Sequence, residues 1–279
     1  MKIKAYAKIN LFLDILYKRK DNFHELDMIM QSISLYDTLN IKKVKEGIHI
    51  KCNDKSIPTD EKNIAYKAAQ LFLEEFNIKS GINITIKKRI PVEGGLGGGS
   101  SDAAATLVAL NKIFEIKVDN KHLRKLAQKI GSDIPFCIEG GTKRAKGRGE
   151  IIINIKPLTK THIVLIKPNA NISTPYAYSL YNHNVKNKNI NKLIRAIESN
   201  GFNNIKKQLY NEFEEYILPI NYEIKKAKEL LSSYDNEGCL MTGSGSVVYA
   251  LYKNKKQAKK IYNIVSKHYK DSFLCHSQN

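Results

Sequence analysis

The sequence has no tryptophan, four cysteines and seven prolines in 279 residues, and it sets only 27 acidic side chains against 46 basic ones. Cys52, Cys137, Cys239 and Cys275 are widely spaced in apolar, strand-like surroundings, which matches neither a disulfide framework nor a Cys-x-x-Cys metal knuckle. They are expected to be core thiols in a reducing compartment. No apolar run reaches the roughly 18 residues that a membrane-spanning helix needs. At the start, Lys2, Lys4, Lys8 and Asp14 are threaded through the apolar residues instead of preceding them, so residues 1–16 do not read as a signal peptide. A cytoplasmic protein with no membrane partner is expected.

The shortage of acid leaves a net charge of +19. Clustered Lys and Arg would point to phosphate-backbone binding. Here the excess is mostly lysine spread from end to end, alongside abundant Ile and Asn, which is the mark of a compositional bias. The most biased stretch, residues 186–192, reads as a solvated loop. No aromatic-interleaved basic stripe accompanies the charge, so no nucleic-acid partner is expected, and an RNA-binding protein stands as the alternative from another class.

What is present is a mixture of two periodicities in a chain long enough for one large or two medium domains. Ile3, Ala5, Ala7, Ile9, Leu11, Leu13 and Ile15 alternate with Lys4, Tyr6, Lys8, Asn10 and Phe12, which predicts a long strand buried on one face. Shorter strands are expected at 48–52 and 82–86, and helices at 63–76, 100–114 and 120–130, the last ended by Gly131 as a C-cap. A composition change near Pro157 precedes a strand at 163–166, which places the domain boundary there, giving domains 1–157 and 158–279. Three or four helices and three strands are expected in the second half. They include Thr174 as an N-cap before Pro175, a helix at 220–231, strands at 239–242 and 247–251, a helix at 256–269 and a strand at 273–275. That order suits an α+β sandwich of helices on an antiparallel sheet.

The strongest chemical signal is Pro91-Val-Glu-Gly-Gly-Leu-Gly-Gly-Gly-Ser-Ser-Asp-Ala103, between a strand and a helix. Five glycines in the six positions from Gly94 let backbone N–H groups approach a ligand closely, and the helix start adds unpaired donors and the positive dipole end. Together they make a phosphate cradle. No Gly-Lys-Ser/Thr closes the segment, so it is not a Walker A loop, and no acidic residue follows suitably for a dinucleotide fingerprint. A second glycine turn, Thr242-Gly-Ser-Gly-Ser246, lies between apolar strands, and Ala7-Lys-Ile-Asn-Leu11 puts Lys8 and Asn10 on the polar face of the first strand.

These three segments resemble the three signature motifs of the galactokinase, homoserine kinase, mevalonate kinase and phosphomevalonate kinase superfamily. Asp21-Asn-Phe-His24, Leu35-Tyr-Asp-Thr-Leu39, Gly131-Ser-Asp-Ile-Pro-Phe136 and Gly147-Arg-Gly-Glu150 extend the resemblance over nearly the whole chain, and narrow it to members that phosphorylate the 2-hydroxyl of a cytidine diphosphate-linked methylerythritol. Asn22 departs from the usual Gly before the aromatic and His, and Asn tolerates the left-handed backbone such a turn needs. The other open alternative is a homoserine or mevalonate kinase of the same superfamily, which would lack the Phe23-His24 pair.

The resemblance implies an α+β two-domain kinase fold. Its N-terminal ATP-binding domain would be ribosomal-protein-S5-domain-2-like, and its C-terminal substrate-side domain a ferredoxin-like α/β sandwich. It implies Asp133 as the base, where local sequence alone suggests a helix N-cap, and Lys8 beside it. Phe23 would stack on cytosine and His24 bond its edge, with Asn10, Thr174, Gly243 and Ser244 on substrate. Asn63 and Lys88 would approach adenine, while Pro91, Gly94, Gly95, Leu96, Gly97, Gly98, Gly99, Ser100 and Ser101 hold phosphates. No carboxylate spacing defines a metal site, so ATP with Mg2+ is expected from the reaction class alone. A monomer or weak homodimer is expected.

Overall fold

The computed structural model describes residues 1–182 and 188–279; Lys186 and Asn187 of the expected lysine-rich loop lie outside them. The chain forms two compact units, one of Met1–Ala7, Leu35–Ile90 and Gly97–Gly140, the other of Lys8–Ser34, Pro91–Leu96 and Gly141–Asn279. Two long strands, β1 (Lys2–Lys18) and β2 (His24–Val44), contribute to both.

In the first unit β4 (Gly81–Lys87) pairs antiparallel with β2, Leu39 opposite Ile86 and Ile41 opposite Ile84. It also pairs parallel with β3 (Ile48–Cys52). The inward residues of these strands share an apolar cluster with α1 (Ile64–Glu75) and α2 (Gly98–Ile113). Ala65, Ala68 and Ala69 of α1 and Ala103 and Ala104 of α2 are small enough to let the helices approach, and Phe72 fills the space with no exposure. Burying one such ring stabilises by roughly 1.5–3 kcal/mol. Two shorter helices, α3 (Asn120–Ala127) and α4 (Ile134–Glu139), complete the unit.

The second unit holds the hairpin of β5 (Thr142–Gly147) and β6 (Ile151–Asn154), with β5 also against the first half of β2. A four-stranded antiparallel sheet follows, in the order β11 (Ser272–His276), β7 (His162–Ile166), β10 (Val248–Tyr252), β9 (Cys239–Met241). Helices α9 (Tyr222–Ser232) and α10 (Lys255–Val265) bury Ile224, Ala227, Leu231, Ala258, Ile261 and Val265. Between β7 and α9 lie α5 (Thr174–Ser179), α6 (Ile190–Glu198), α7 (Phe202–Gln208), the two-residue β8 (Tyr210–Asn211) and α8 (Phe213–Ile217). The abundant Asn has a structural use: Asn63, Asn189, Asn221 and Asn254 each cap a helix by accepting a backbone N–H, worth about 1 kcal/mol apiece.

Several expectations are corrected. β1 is buried on both faces from Ala7 to Ile15, so the alternation marked polarity and not exposure. β2 was not expected, because residues 26–33 are buried on both faces and carry no alternation. α3 stops at Ala127, where the bonds Lys129 to Leu126 and Ile130 to Ala127 tighten the turn, and Gly131 is not its cap. The cap of α5 is Ser173, one residue before Thr174. Residues 190–192 are helical, and the second half holds more short helices than expected, α7 and α8 flanking β8. Asn22 does adopt the left-handed backbone, φ 65°.

A buried carboxyl pair lies where β8 runs parallel to β1: Asp14 meets Glu212, whose Oε2 accepts the Ile15 N–H at 2.7 Å. Burial pushes Glu212 up to about 7, with the Asp14 charge adding to the rise, and burial likewise raises Asp14. A carboxyl raised on folding stabilises most while protonated and loses that contribution as pH climbs through the folded value. Glu212→Gln, which keeps the acceptor and supplies an N–H for Asp14, is expected to raise the melting temperature relative to wild type at pH 8 and much less at pH 5. A difference independent of pH would rule out the shared proton.

Candidate functional site

In the second unit the predicted residues of β1, the glycine segment and the second glycine turn are knitted together. Lys8, 4% exposed, donates to Asn10 Oδ1 at 2.8 Å. The Lys8 amide donates to the Leu96 carbonyl at 3.0 Å, and the Val247 amide to the Gly94 carbonyl at 3.3 Å. The Asn10 amide donates to Thr242 Oγ1 at 3.0 Å, and the Tyr249 hydroxyl to the Asn10 carbonyl at 2.8 Å. Asn211 Nδ2 donates to both the Met241 and the Gly243 carbonyls, at 2.7 and 2.8 Å. The approach is so close that a Cβ on Gly95 would fall 2.1 Å from the Thr242 carbonyl oxygen. A buried ammonium costs free energy unless its donors are met, and Lys8 is held in a polar frame built for it.

The same unit carries an aromatic group. His24 stacks on Tyr178 with centroids 4.7 Å apart and planes 10° from parallel, and Tyr181 meets it edge-on at 5.5 Å. Phe23 is 49% exposed, with the Arg148 guanidinium 4.6 Å from its ring centre. Because Ser173 caps α5, the Thr174 hydroxyl is available to meet Ser244 Oγ at 3.3 Å.

In the first unit α2 starts from Gly97, whose φ of 68° is left-handed, and no side chain caps its first turn. The N–H groups at this end and the dipole behind them suit an anion. Ser101 is 2% exposed and its hydroxyl lies 2.6 Å from the Tyr6 carbonyl, a structural bond. Asn63 accepts from the Ala65 amide and donates to the Pro58 carbonyl. Lys88 is buried between Asp37 and Asp102, at 2.5 and 2.8 Å. Burial alone would lower the Lys88 ammonium, and the two carboxylates hold it above its ordinary value; burial pushes Asp102 up to about 7 against the pull of Lys88. Asp133 is the residue before α4, yet its backbone is already helical, φ −84° and ψ −14°, and its side chain makes no capping bond.

Among the described residues no group of three or more His, Cys, Asp or Glu side chains is arranged to hold a metal ion. Sequence reading gave no role to Asp37 and Asp102, although both lie in the motifs above, and missed Asn211, Tyr178 and Tyr249. Asp102 was the most legible of them, an acid inside an Ala-rich helix start where a buried charge demands a partner. Asn211 acts through carbonyls 30 and 32 residues away and Tyr249 through one 239 residues away, separations that no local pattern announces.

The fold and these motifs agree with known proteins. Residues 63–141 match the GHMP kinases N terminal domain and residues 182–271 the GHMP kinases C terminal domain. A 4-diphosphocytidyl-2-C-methyl-D-erythritol kinase of Clostridium perfringens is 43% identical over 275 residues, 98% of this chain and 96% of that protein. One from Clostridium acetobutylicum is 42% identical, over 98% of this chain and 99% of the relative. A crystal structure of 4-(cytidine 5'-diphospho)-2C-methyl-D-erythritol kinase superposes with a TM-score of 0.86 at 29% identity, covering 100% of both chains. Homoserine kinase from Cytophaga hutchinsonii shares the fold, with a TM-score of 0.79 at 18% identity over 99% of this chain and 94% of that one. The chain belongs to the GHMP kinases, and among them to the 4-diphosphocytidyl-2-C-methyl-D-erythritol kinases.

Proposed function

We propose that the protein transfers the γ-phosphoryl group of ATP to the 2-hydroxyl of 4-(cytidine 5'-diphospho)-2-C-methyl-D-erythritol, in the non-mevalonate route to isoprenoid precursors. The observation that carries the choice of acceptor is the His24–Tyr178 stack beside an exposed Phe23, on the unit that also carries Lys8. A planar base with polar edges is recognised by ring faces and a ring N–H, and homoserine or mevalonate offers neither surface.

In this reading the 2-hydroxyl oxygen attacks the γ-phosphorus, the bond from that phosphorus to the β,γ-bridging oxygen breaks, and ADP leaves. Asp133 takes the hydroxyl proton, and Lys8 supplies positive charge that keeps the base ionised and offsets charge at the transferring group. Gly94, Gly95, Leu96, Gly97, Gly98, Gly99 and Ser100 form the phosphate cradle, with Ser101 and Pro91 shaping it. Asn63 lies toward adenine, and Asn10, Thr174, Gly243 and Ser244 toward substrate. Mg2+ bound to the ATP phosphates would supply further positive charge at the transferring group. The two functional domains are 1–157 and 158–279, a division supported by separate family matches at 63–141 and 182–271. The protein works in the cytoplasm as a monomer or weak homodimer. No helix among the described residues is long and apolar enough to cross a membrane.

ADP release, followed with the cytidine substrate, homoserine and mevalonate in parallel, tests the proposal. Turnover is expected with the first alone. Preference for either of the others would overturn the assignment, and RNA retained at physiological salt without ATP turnover would favour a binding protein. His24→Ala is expected to raise KM for the cytidine substrate by roughly ten- to a hundredfold, the cost of leaving the base edge without its hydrogen-bond partner, while KM for ATP stays within twofold. An unchanged KM for the cytidine substrate would end the base-recognition role.

A further inference from the structure

Both ends of the glycine segment are tied to one buried group of three charges. Lys88 Nζ lies 2.5 Å from Asp37 Oδ2 and 2.8 Å from Asp102 Oδ2, with Asp37 fully buried and Asp102 3% exposed. The other Asp37 oxygen accepts the Arg89 and Ile90 amides at 2.5 and 2.8 Å. Asp37 therefore grips three consecutive residues, Lys88, Arg89 and Ile90, on the way into Pro91. Asp102 lies at the other end, one residue past Ser101 on α2. The ammonium also lies against the first residue of that helix: a Cβ on Gly98 would be 3.1 Å from Lys88 Nζ and 3.1 Å from Ile90 Cγ2.

The cost of such a group asks for a reason. Removing three charges from water is expensive, and apolar residues of similar volume often serve stability as well or better. A segment with five glycines in six positions also has unusually large backbone freedom. Fixed, polar anchors at its two ends limit that freedom where apolar packing, which is non-directional, cannot set a register. The carboxylate of Asp37 does this by direct bonds to main-chain N–H groups, and Lys88 carries the restraint across to α2.

We propose that Asp37, Lys88 and Asp102 are positioning residues that clamp the entry and exit of the glycine segment and hold its backbone N–H groups ready for the phosphates of the nucleotide. This rests on the ATP-dependent reading above. It also reassigns Lys88, because an ammonium already shared by two carboxylates is spent on the loop and not on the adenine ring.

The test compares wild type with Lys88→Met, Asp37→Asn and Asp102→Asn, and with Lys88→Arg as the variant that keeps the charge. Binding of ATP, ADP and adenosine is measured by calorimetry, with kcat and both KM values from ADP release. Each of the first three variants is expected to weaken ATP and ADP about tenfold, to leave adenosine within twofold, and to leave KM for the cytidine substrate within twofold. Lys88→Arg should recover at least half of the loss in logarithmic terms. Equal loss for adenosine and ATP would return Lys88 to the adenine ring and overturn the clamp. ATP affinity unchanged in all folded variants, or in the soluble Lys88→Arg and Asp102→Asn proteins alone if the others do not fold, would leave the three charges a purely structural group. Wild-type protein that binds no ATP would instead overturn the kinase reading beneath the proposal.

Discussion

Asp133→Ala is expected to lower kcat by about 10²- to 10⁴-fold, the usual worth of a positioned base, while the melting temperature stays within a few degrees of wild type. The two halves of that expectation come from different observations. Asp133 occupies an N-cap position, where loss of a capping side chain ordinarily costs about 1 kcal/mol. Here it makes no capping bond, and α4 is held by buried Ile134, Pro135 and Phe136. The cap of the helix therefore does not depend on its carboxylate. KM for ATP should change little, since the proton is moved only in the transition state. Lys8→Met is expected to cost a similar factor, and the double variant much less than the product of the two, because groups that act on one proton transfer lose their value together. Near-wild-type turnover in well-folded Asp133→Ala would remove it as the base, and multiplicative losses would separate the roles of the two residues.

How much of this was legible in the sequence depended on whether a residue's constraint was local. The glycine segment announced itself because close backbone approach leaves a compositional trace. So did β4 and α1, whose burial on one face imposes a period. β2 left no such trace over residues 26–33, where both of its faces are covered. Lys8 was visible as a polar residue on an alternating strand, but its burial was not, since the frame around it comes from Thr242, Asn211 and Tyr249, more than 200 positions along the chain. The cap of α5 was misplaced by one residue because Ser173 and Thr174 are equally good capping side chains, and only the backbone decides which turns first.

Gly95→Ala is expected to damage both stability and nucleotide binding. Gly95 has φ 72°, a conformation that costs an L residue roughly 1–2 kcal/mol. The added Cβ would also lie 2.1 Å from the Thr242 carbonyl oxygen and 3.2 Å from that of Gly245. Both are main-chain atoms, so no rotamer change relieves the contact, and the glycine segment must move away from the second glycine turn. That movement would strain the Val247 amide bond to Gly94 and the Lys8 amide bond to Leu96, which flank it. Loss of several degrees in melting temperature is expected, about 2–4 °C for each kcal/mol in a chain of this size, together with at least a tenfold rise in KM for ATP. Gly141→Ala separates the two causes. Its φ of 73° imposes the same backbone cost, but nothing lies within 4 Å of where its Cβ would be. It should lose about 1–2 kcal/mol and keep its ATP affinity. If the two variants lost equal stability and both kept wild-type KM for ATP, the approach of the two glycine turns would have no part in nucleotide binding, and the strain at Gly95 would be conformational alone.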